Sequence, residues 1–189
     1  MDRRTFLKIG VTAAVSSAAG VSLRLDTAEA GRNLIRPPGA DPDNFLSKCI
    51  RCFKCGEVCP NKCIQFTGIG QGLSNLFTPY VEPRDQACIL CMKCGEVCPT
   101  DALKKIGTES EELLEHVKMG TAEVDTSLCY SYNGRTCGVC YRACPFPDMA
   151  LSLGMYATPI VDEKFCVGCG LCEKSCIHIP QAIRVKPHA

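Results

Sequence analysis

The chain has 189 residues, 21 basic against 20 acidic, no Trp and only 6% aromatics, yet 17 cysteines. That length holds one domain or two small ones. The scarcity of large apolar side chains leaves a modest core, and cysteine usage this high marks a metal or disulfide scaffold. The first thirty residues hold four of the basic and three of the acidic residues, so seventeen of each sign remain. No basic stripe stands out, which speaks against a nucleic-acid partner.

Residues 1–30 read as an export signal. Asp2-Arg3-Arg4-Thr5-Phe6-Leu7-Lys8 is a twin-arginine motif. Ile9 to Leu23 follows, apolar but diluted by small residues. As a helix it rises about 22 Å, short of the ~30 Å hydrocarbon core. Ala28-Glu29-Ala30 supplies an Ala-x-Ala cleavage site. A retained anchor is the alternative. The expectation is export in the folded state, since passage of unfolded chain would deliver bare thiols to an oxidising compartment. Residues 31–48 read as a linker, because Arg36-Pro37-Pro38-Gly39 and Asp41-Pro42 resist regular structure.

Four cysteine runs follow. Cys49, Cys52, Cys55 and Cys59 have the spacing Cys-x-x-Cys-x-x-Cys-x-x-x-Cys, and Pro60 comes next. Cys88, Cys91, Cys94, Cys98 and Pro99 repeat it. Cys129, Cys137, Cys140, Cys144 and Pro145 repeat it with seven residues in the first gap, where Asn133-Gly134 predicts a turn. Cys166, Cys169, Cys172 and Cys176 repeat it without the proline. These sixteen cysteines are the expected ligands of four 4Fe–4S clusters. A cubane needs one thiolate at each of four irons, and a Cys-x-x-Cys-x-x-Cys loop delivers three while leaving backbone amides to face the cluster sulfides. Structural zinc uses paired Cys-x-x-Cys units set wider apart, and a disulfide framework would not repeat so regularly. With roughly −2 per oxidised cluster from coordinated thiolates, the loaded protein is acidic.

The units also match between the cysteines. Lys54-Cys55-Gly56-Glu57-Val58-Cys59-Pro60 recurs unchanged as Lys93 to Pro99. Short apolar strands are predicted after each run at 63–66, 102–103, 150–153 and 182–185, and before three of them at 80–82, 124–125 and 161–162. Cys63, the seventeenth cysteine, aligns with Ala102, Ala150 and Ala182, so it reads as a small buried residue beside a cluster. Residues 67–78, with Gly68, Gly70 and Gly72, read as a flexible loop without a phosphate-binding pattern. Residues 109–119 read as an amphipathic helix, with Leu113, Leu114 and Val117 on the face toward its own protein. The fold class is α+β: two bacterial-ferredoxin-like modules of short strands and helices around four iron–sulfur clusters.

In two-cluster ferredoxins the fourth cysteine of a run ligates the other cluster. The spacing leaves two pairings open, first run with second and third with fourth, or first with fourth and second with third. The chain resembles four-cluster electron-transfer subunits of molybdoenzymes, and that resemblance implies the nested pairing. Residues 49–66 with 159–189 would then form one module and 80–153 the other. Cys176 would complete the set of Cys49, Cys52 and Cys55, and Cys59 that of Cys166, Cys169 and Cys172. Cys144 would join Cys88, Cys91 and Cys94, and Cys98 would join Cys129, Cys137 and Cys140.

Arg36-Pro37-Pro38-Gly39-Ala40, Met119 to Asp125, Cys137 to Pro145 and Cys166 to Lys174 also resemble the NapG/MauM family of exported ferredoxin-type proteins, and the long gap in the third run is a trait of that family. The resemblance implies a periplasmic electron carrier without a catalytic site. Its expected partners are a membrane NapH/MauN-like quinol-oxidising protein, through which it would associate with the membrane, and a periplasmic reductase of the nitrate reductase type or a c-type cytochrome. The alternatives are an electron-transfer subunit of a molybdenum oxidoreductase and a structural or maturation iron–sulfur protein.

Overall fold

The structure is a computed structural model that describes residues 34–188; the expected signal, residues 1–30, lies outside them. Its elements are short, as a chain punctuated by cysteine and proline dictates. In order they are α1 (Phe45–Lys48), α2 (Lys54–Val58), β1 (Ile64–Phe66), β2 (Pro79–Val81), α3 (Lys93–Glu96), α4 (Ser110–His116), β3 (Thr121–Val124), α5 (Val139–Ala143), β4 (Leu151–Leu153), β5 (Pro159–Val161), α6 (Leu171–Lys174) and β6 (Ile183–Lys186). Single 3₁₀ turns lie at Ile69–Gln71, Leu73–Asn75 and Met155–Ala157. No helix of the described residues is long and apolar enough to cross a membrane.

The strands form three antiparallel pairs. β1 pairs with β2, setting Ile64 opposite Val81. β4 pairs with β5, setting Leu151 opposite Val161. β3 pairs with β6, setting Val124 opposite Ile183. A bridge from Ala40 to Leu103 does for the first half of the chain what β3–β6 does for the second. Each half therefore has one plan: the strand after its first run meets the strand before its second run, and the flanking ends of the half pair with each other. This corrects the nested modules. Residues 49–66 pair with 79–81 rather than with the C-terminal stretch, and 150–153 pair with 159–161. Strands close in sequence are the easier partners, because each pairing closes a shorter loop.

The strands predicted after the runs are present except at 102–103, where Leu103 forms only the bridge to Ala40. Two further expectations are corrected. The described part of the linker, 34–48, is built into the first half: Ile35 and Phe45 are buried, and Val81 N–H donates to Ile35 O at 2.8 Å. The segment 67–78 is an ordered cap on the β1–β2 end. The Arg36 guanidinium donates to Asn75 Oδ1 at 2.5 Å, Thr78 Oγ1 at 2.8 Å and Pro79 O at 3.0 Å, while Thr67, Asn75 and Thr78 are buried. Helix α4 packs on its own chain as expected, through buried Leu113 and Val117.

The halves meet where the second and fourth runs touch. Cys88 N–H donates to Cys169 O at 2.9 Å. Lys174 Nζ donates to Asp85 O, and Arg84 Nε stands 3.8 Å from Glu173 Oε1. Glu173 is only 4% exposed and accepts Val185 N–H at 2.7 Å, which fastens α6 to β6.

Candidate metal centre

Each run folds as a loop into a one-turn helix, and the loop depends on a backbone reversal at one repeated place. The residue after the second cysteine is left-handed in all four runs: Phe53 (φ 64°), Met92 (54°), Gly138 (66°) and Gly170 (80°). In three runs the residue before that cysteine is left-handed as well: Arg51, Leu90 and Gly168. Alternation of left- and right-handed residues turns successive N–H groups toward one concave side, a nest suited to an anionic group. Helices of four or five residues have little intrinsic stability. What they contribute is the direction in which each delivers its third cysteine.

The cysteines line four cavities. The first is lined by Cys49, Cys52, Cys55 and Cys98, beside Phe53, Phe66 and Leu103. The second is lined by Cys88, Cys91, Cys94, Cys59 and Cys63. The third is lined by Cys166, Cys169, Cys172 and Cys144, beside Phe146 and Val185. The fourth is lined by Cys129, Cys137, Cys140 and Cys176, beside Tyr130 and Ser131. The fourth cysteine of each run thus stands with its neighbour's triplet: first with second, third with fourth. The nested assignment of Cys176, Cys59, Cys144 and Cys98 is overturned here, for the reason the strands already give. α2 packs on α3, and α5 on α6, so each helix carries its run's last cysteine to the adjoining cavity.

The cavities form a line. Cys55 of the first neighbours Cys94 of the second, Cys88 of the second neighbours Cys169 of the third, and Cys172 of the third neighbours Cys140 of the fourth. The inner two hold every buried cysteine: Cys59, Cys63, Cys88, Cys94, Cys166, Cys169 and Cys172. The outer two are nearer solvent, and Cys52 is exposed.

The donor sets fit a cubane better than a point ion. Among the described residues no group of three or more His, Cys, Asp or Glu closes on a single metal-ion position; the sulfurs surround wider voids. Backbone N–H groups already point at sulfur, from Leu90 to Cys88, Leu103 to Cys98 and Ala122 to Cys166, each at 3.4 Å. Without iron several of these thiols resist ionisation. Burial pushes Cys94 and Cys169 up to about 12 and Cys172 well above its ordinary value. Burial likewise lifts Cys55 and Cys140 to about 11. A cationic cluster supplies the charge that makes these groups thiolates. Two cysteines go the other way: the neighbouring Cys63 side chain lowers Cys88 despite burial, and, against the burial that raises it, hydrogen bonds from Leu103 N–H and Thr100 lower Cys98.

Cys63 is 2% exposed, and its Sγ lies 3.5 Å from Cys59 Sγ. Its counterparts Ala102, Ala150 and Ala182 are buried too, so the alignment placed it correctly. Sequence reasoning missed Ser131. Its Oγ is buried with no hydrogen-bond partner among the described residues, and it lines the fourth cavity. The available signal was a hydroxyl within the long gap of the third run. A larger cavity lies elsewhere among the described residues, lined by 34–42, 104–106, His116, Lys118, Met119, Pro187 and His188, and holds no cysteine.

Comparison with known proteins accords with this chemistry. Residues 48–102 and 87–147 match the 4Fe-4S dicluster domain family. The second match joins the second run to the third, which stand in different halves; the like spacing of every run permits it, and the cavities decide the pairing. The ferredoxin-type protein NapG of Escherichia coli is 39% identical over 202 aligned positions, covering 98% of this chain and 85% of that protein. The methylamine utilization ferredoxin-type protein MauM of Methylorubrum extorquens is 36% identical, covering 98% and 89%. NapG of Haemophilus influenzae is 32% identical over 98% of this chain and 72% of its own length.

Proposed function

We propose that this chain, which belongs to the NapG/MauM family of ferredoxin-type proteins, passes single electrons along four 4Fe–4S clusters between two partners. It is an iron–sulfur electron-transfer protein. The ligands are the sixteen cysteines of the four runs, grouped as the cavities group them. The observation that carries this reading is the line of four contiguous cavities, inner pair buried and outer pair near the surface. Neighbouring clusters at such close quarters exchange electrons rapidly, and burial keeps the inner pair from side reactions with solvent. The outer pair then serves as entry and exit, and the chain has no substrate site of its own.

The twin-arginine sequence at Arg3-Arg4 supports export of the loaded protein to the periplasm. There the electron source would be a membrane quinol-oxidising protein of the NapH/MauN kind. The acceptor would be a periplasmic reductase, of the nitrate reductase type, or a c-type cytochrome. Two measurements test the reading. Anaerobically purified protein is expected to carry about 16 iron and 16 sulfide per chain, and its reduced state to show electron-spin coupling between neighbouring clusters. About half that iron would refute the four-cluster line. Replacing both Arg3 and Arg4 with Lys should hold the loaded protein in the cytoplasm; unchanged export would refute the proposed route.

A further inference from the structure

The third run breaks the repeat by looping seven residues between Cys129 and Cys137, and the spacing rule does not explain what that loop does. It is tightly held. The Asn133 side chain donates to Thr126 O at 3.1 Å, Ser127 O at 3.1 Å and Cys129 O at 2.8 Å. Tyr130 O accepts Arg135 N–H at 2.9 Å, and Tyr132 N–H donates to Cys129 O at 3.1 Å. This clamp presses Ser131 inward, to 4% exposure. It lines the fourth cavity together with Tyr130, His178 and the four cysteines, and its hydroxyl finds no partner among the described residues, whereas His178 Nδ1 is paired with Pro180 O at 2.7 Å. A buried hydroxyl without a partner is costly, and native structures rarely keep one unless a bound group accepts a hydrogen bond from it.

We infer that Ser131 Oγ–H donates a hydrogen bond to a sulfur of the cluster in the fourth cavity, and so sets the potential of the cluster at one end of the line. The inference rests on the reading that this cavity holds a cluster. Reduction adds negative charge, spread over the sulfurs. A donor aimed at sulfur favours the reduced form more than the oxidised one, which raises the potential. Neither of the two inner cavities is lined by a serine or threonine. In the first cavity Thr100 Oγ1 already lies 3.9 Å from Cys98 Sγ, so the long gap has a use of the same kind at the other end: it brings a buried donor into the fourth site and raises the potential of that cluster.

The test uses full-length holoprotein under anaerobic conditions. Iron content, potentiometric titration followed by EPR, and pulsed proton ENDOR on the reduced state are compared for wild type, Ser131→Ala and Ser131→Thr. With iron unchanged at about 16 per chain, Ser131→Ala should move one titrating component to lower potential and leave the others in place. Ser131→Thr, which keeps the hydroxyl, should restore it. One exchangeable proton coupling to the reduced cluster, beyond those of the backbone N–H groups, should be present in wild type and lost in Ser131→Ala. A Ser131→Ala protein that titrates like wild type overturns the inference, as does one that loses a cluster's worth of iron. Wild-type protein with fewer than four clusters would instead overturn the reading of the cavity, and this inference with it.

Discussion

The first and fourth cysteine loops have the same backbone shape, reached by opposite choices of residue. In the fourth loop both left-handed positions are glycine, Gly168 and Gly170. A Cβ on Gly168 would lie 2.4 Å from Gly120 N, and one on Gly170 would lie 2.3 Å from Pro83 Cβ. This loop is pressed against neighbouring chain on both sides, at the join between the halves. In the first loop the same positions carry Arg51 and Phe53. Arg51 donates to Leu76 O at 2.8 Å and Ser74 O at 3.1 Å, holding the 67–78 segment over the loop. Phe53 stacks edge-on against Phe66, with ring centroids 4.6 Å apart. The cavity dictates the backbone, and what lies outside the loop dictates the side chain. Where chain crowds in, only glycine fits; where a cap must be held, a strained residue with a useful side chain is kept.

The largest break in this comparison comes from removing iron. No helix among the described residues exceeds seven residues, and isolated helices this short do not persist in water. Chelation should therefore cost both halves their secondary structure, read as loss of far-ultraviolet circular dichroism, because cluster binding is folding free energy. It should also proceed in two phases. About half the iron should leave early from the outer cavities, where Cys52 is exposed, and the rest later from the buried inner pair. A single phase would erase the distinction between ends and middle.

Next in size is Gly170→Ala. The left-handed conformation costs a residue with a Cβ about 1–2 kcal/mol, and the collision with Pro83 adds about 1–3 kcal/mol of overpacking. The melting temperature of the loaded protein should fall accordingly. Equal stability would mean that the halves are free to separate at this contact.

Glu173 sharpens the same join. Burial raises its carboxyl above the ordinary 4.5, against the lowering effects of Val185 N–H and Arg84. The folded state then binds this proton more tightly than the unfolded state. Its contribution to stability is greatest below the unfolded value and is lost as pH rises through the raised folded value. Glu173→Gln keeps an acceptor for Val185 N–H, so it should be neutral or mildly stabilising at neutral pH and flatten the pH dependence of melting in the mildly acidic range. Glu173→Ala leaves that buried N–H unpaired and should cost about 1–3 kcal/mol.

Much of this was legible in the sequence. The cysteine spacing announced the four sites, the apolar stretches announced the strands, and Asn133-Gly134 announced a turn in which Gly134 indeed has φ 78°. The pairing of runs was not legible, because identical spacing fits either partner. It was settled by hairpin closure between 64–66 and 79–81, over a segment whose glycines suggested mobility. What orders that segment is a guanidinium thirty-nine residues upstream of Asn75, beyond the reach of any local pattern. The left-handed residues at Arg51 and Phe53 were equally hidden, since nothing in an arginine or phenylalanine signals φ above zero. Ser131 was hidden for a different reason: its importance lies in lacking a partner, which only packing reveals.

The finest test separates strain from function at Arg51. Arg51→Ala keeps the left-handed strain and loses the bonds to Leu76 O and Ser74 O. Arg51→Gly loses the same bonds but relieves the strain. If the backbone of the first loop is set by its cavity, the two variants share every lost contact and differ only in the φ 57° position. Glycine also brings back some unfolded-state entropy, which offsets part of the relief. Arg51→Gly should therefore melt higher than Arg51→Ala, by about 1 kcal/mol or less in stability. Both should lie below wild type, because the cap over the loop has lost its tether. If alanine were the more stable of the two, the first loop would be free to leave the left-handed region. Its shape would then be imposed by Arg51 and its cap, and the likeness to the fourth loop would be coincidence.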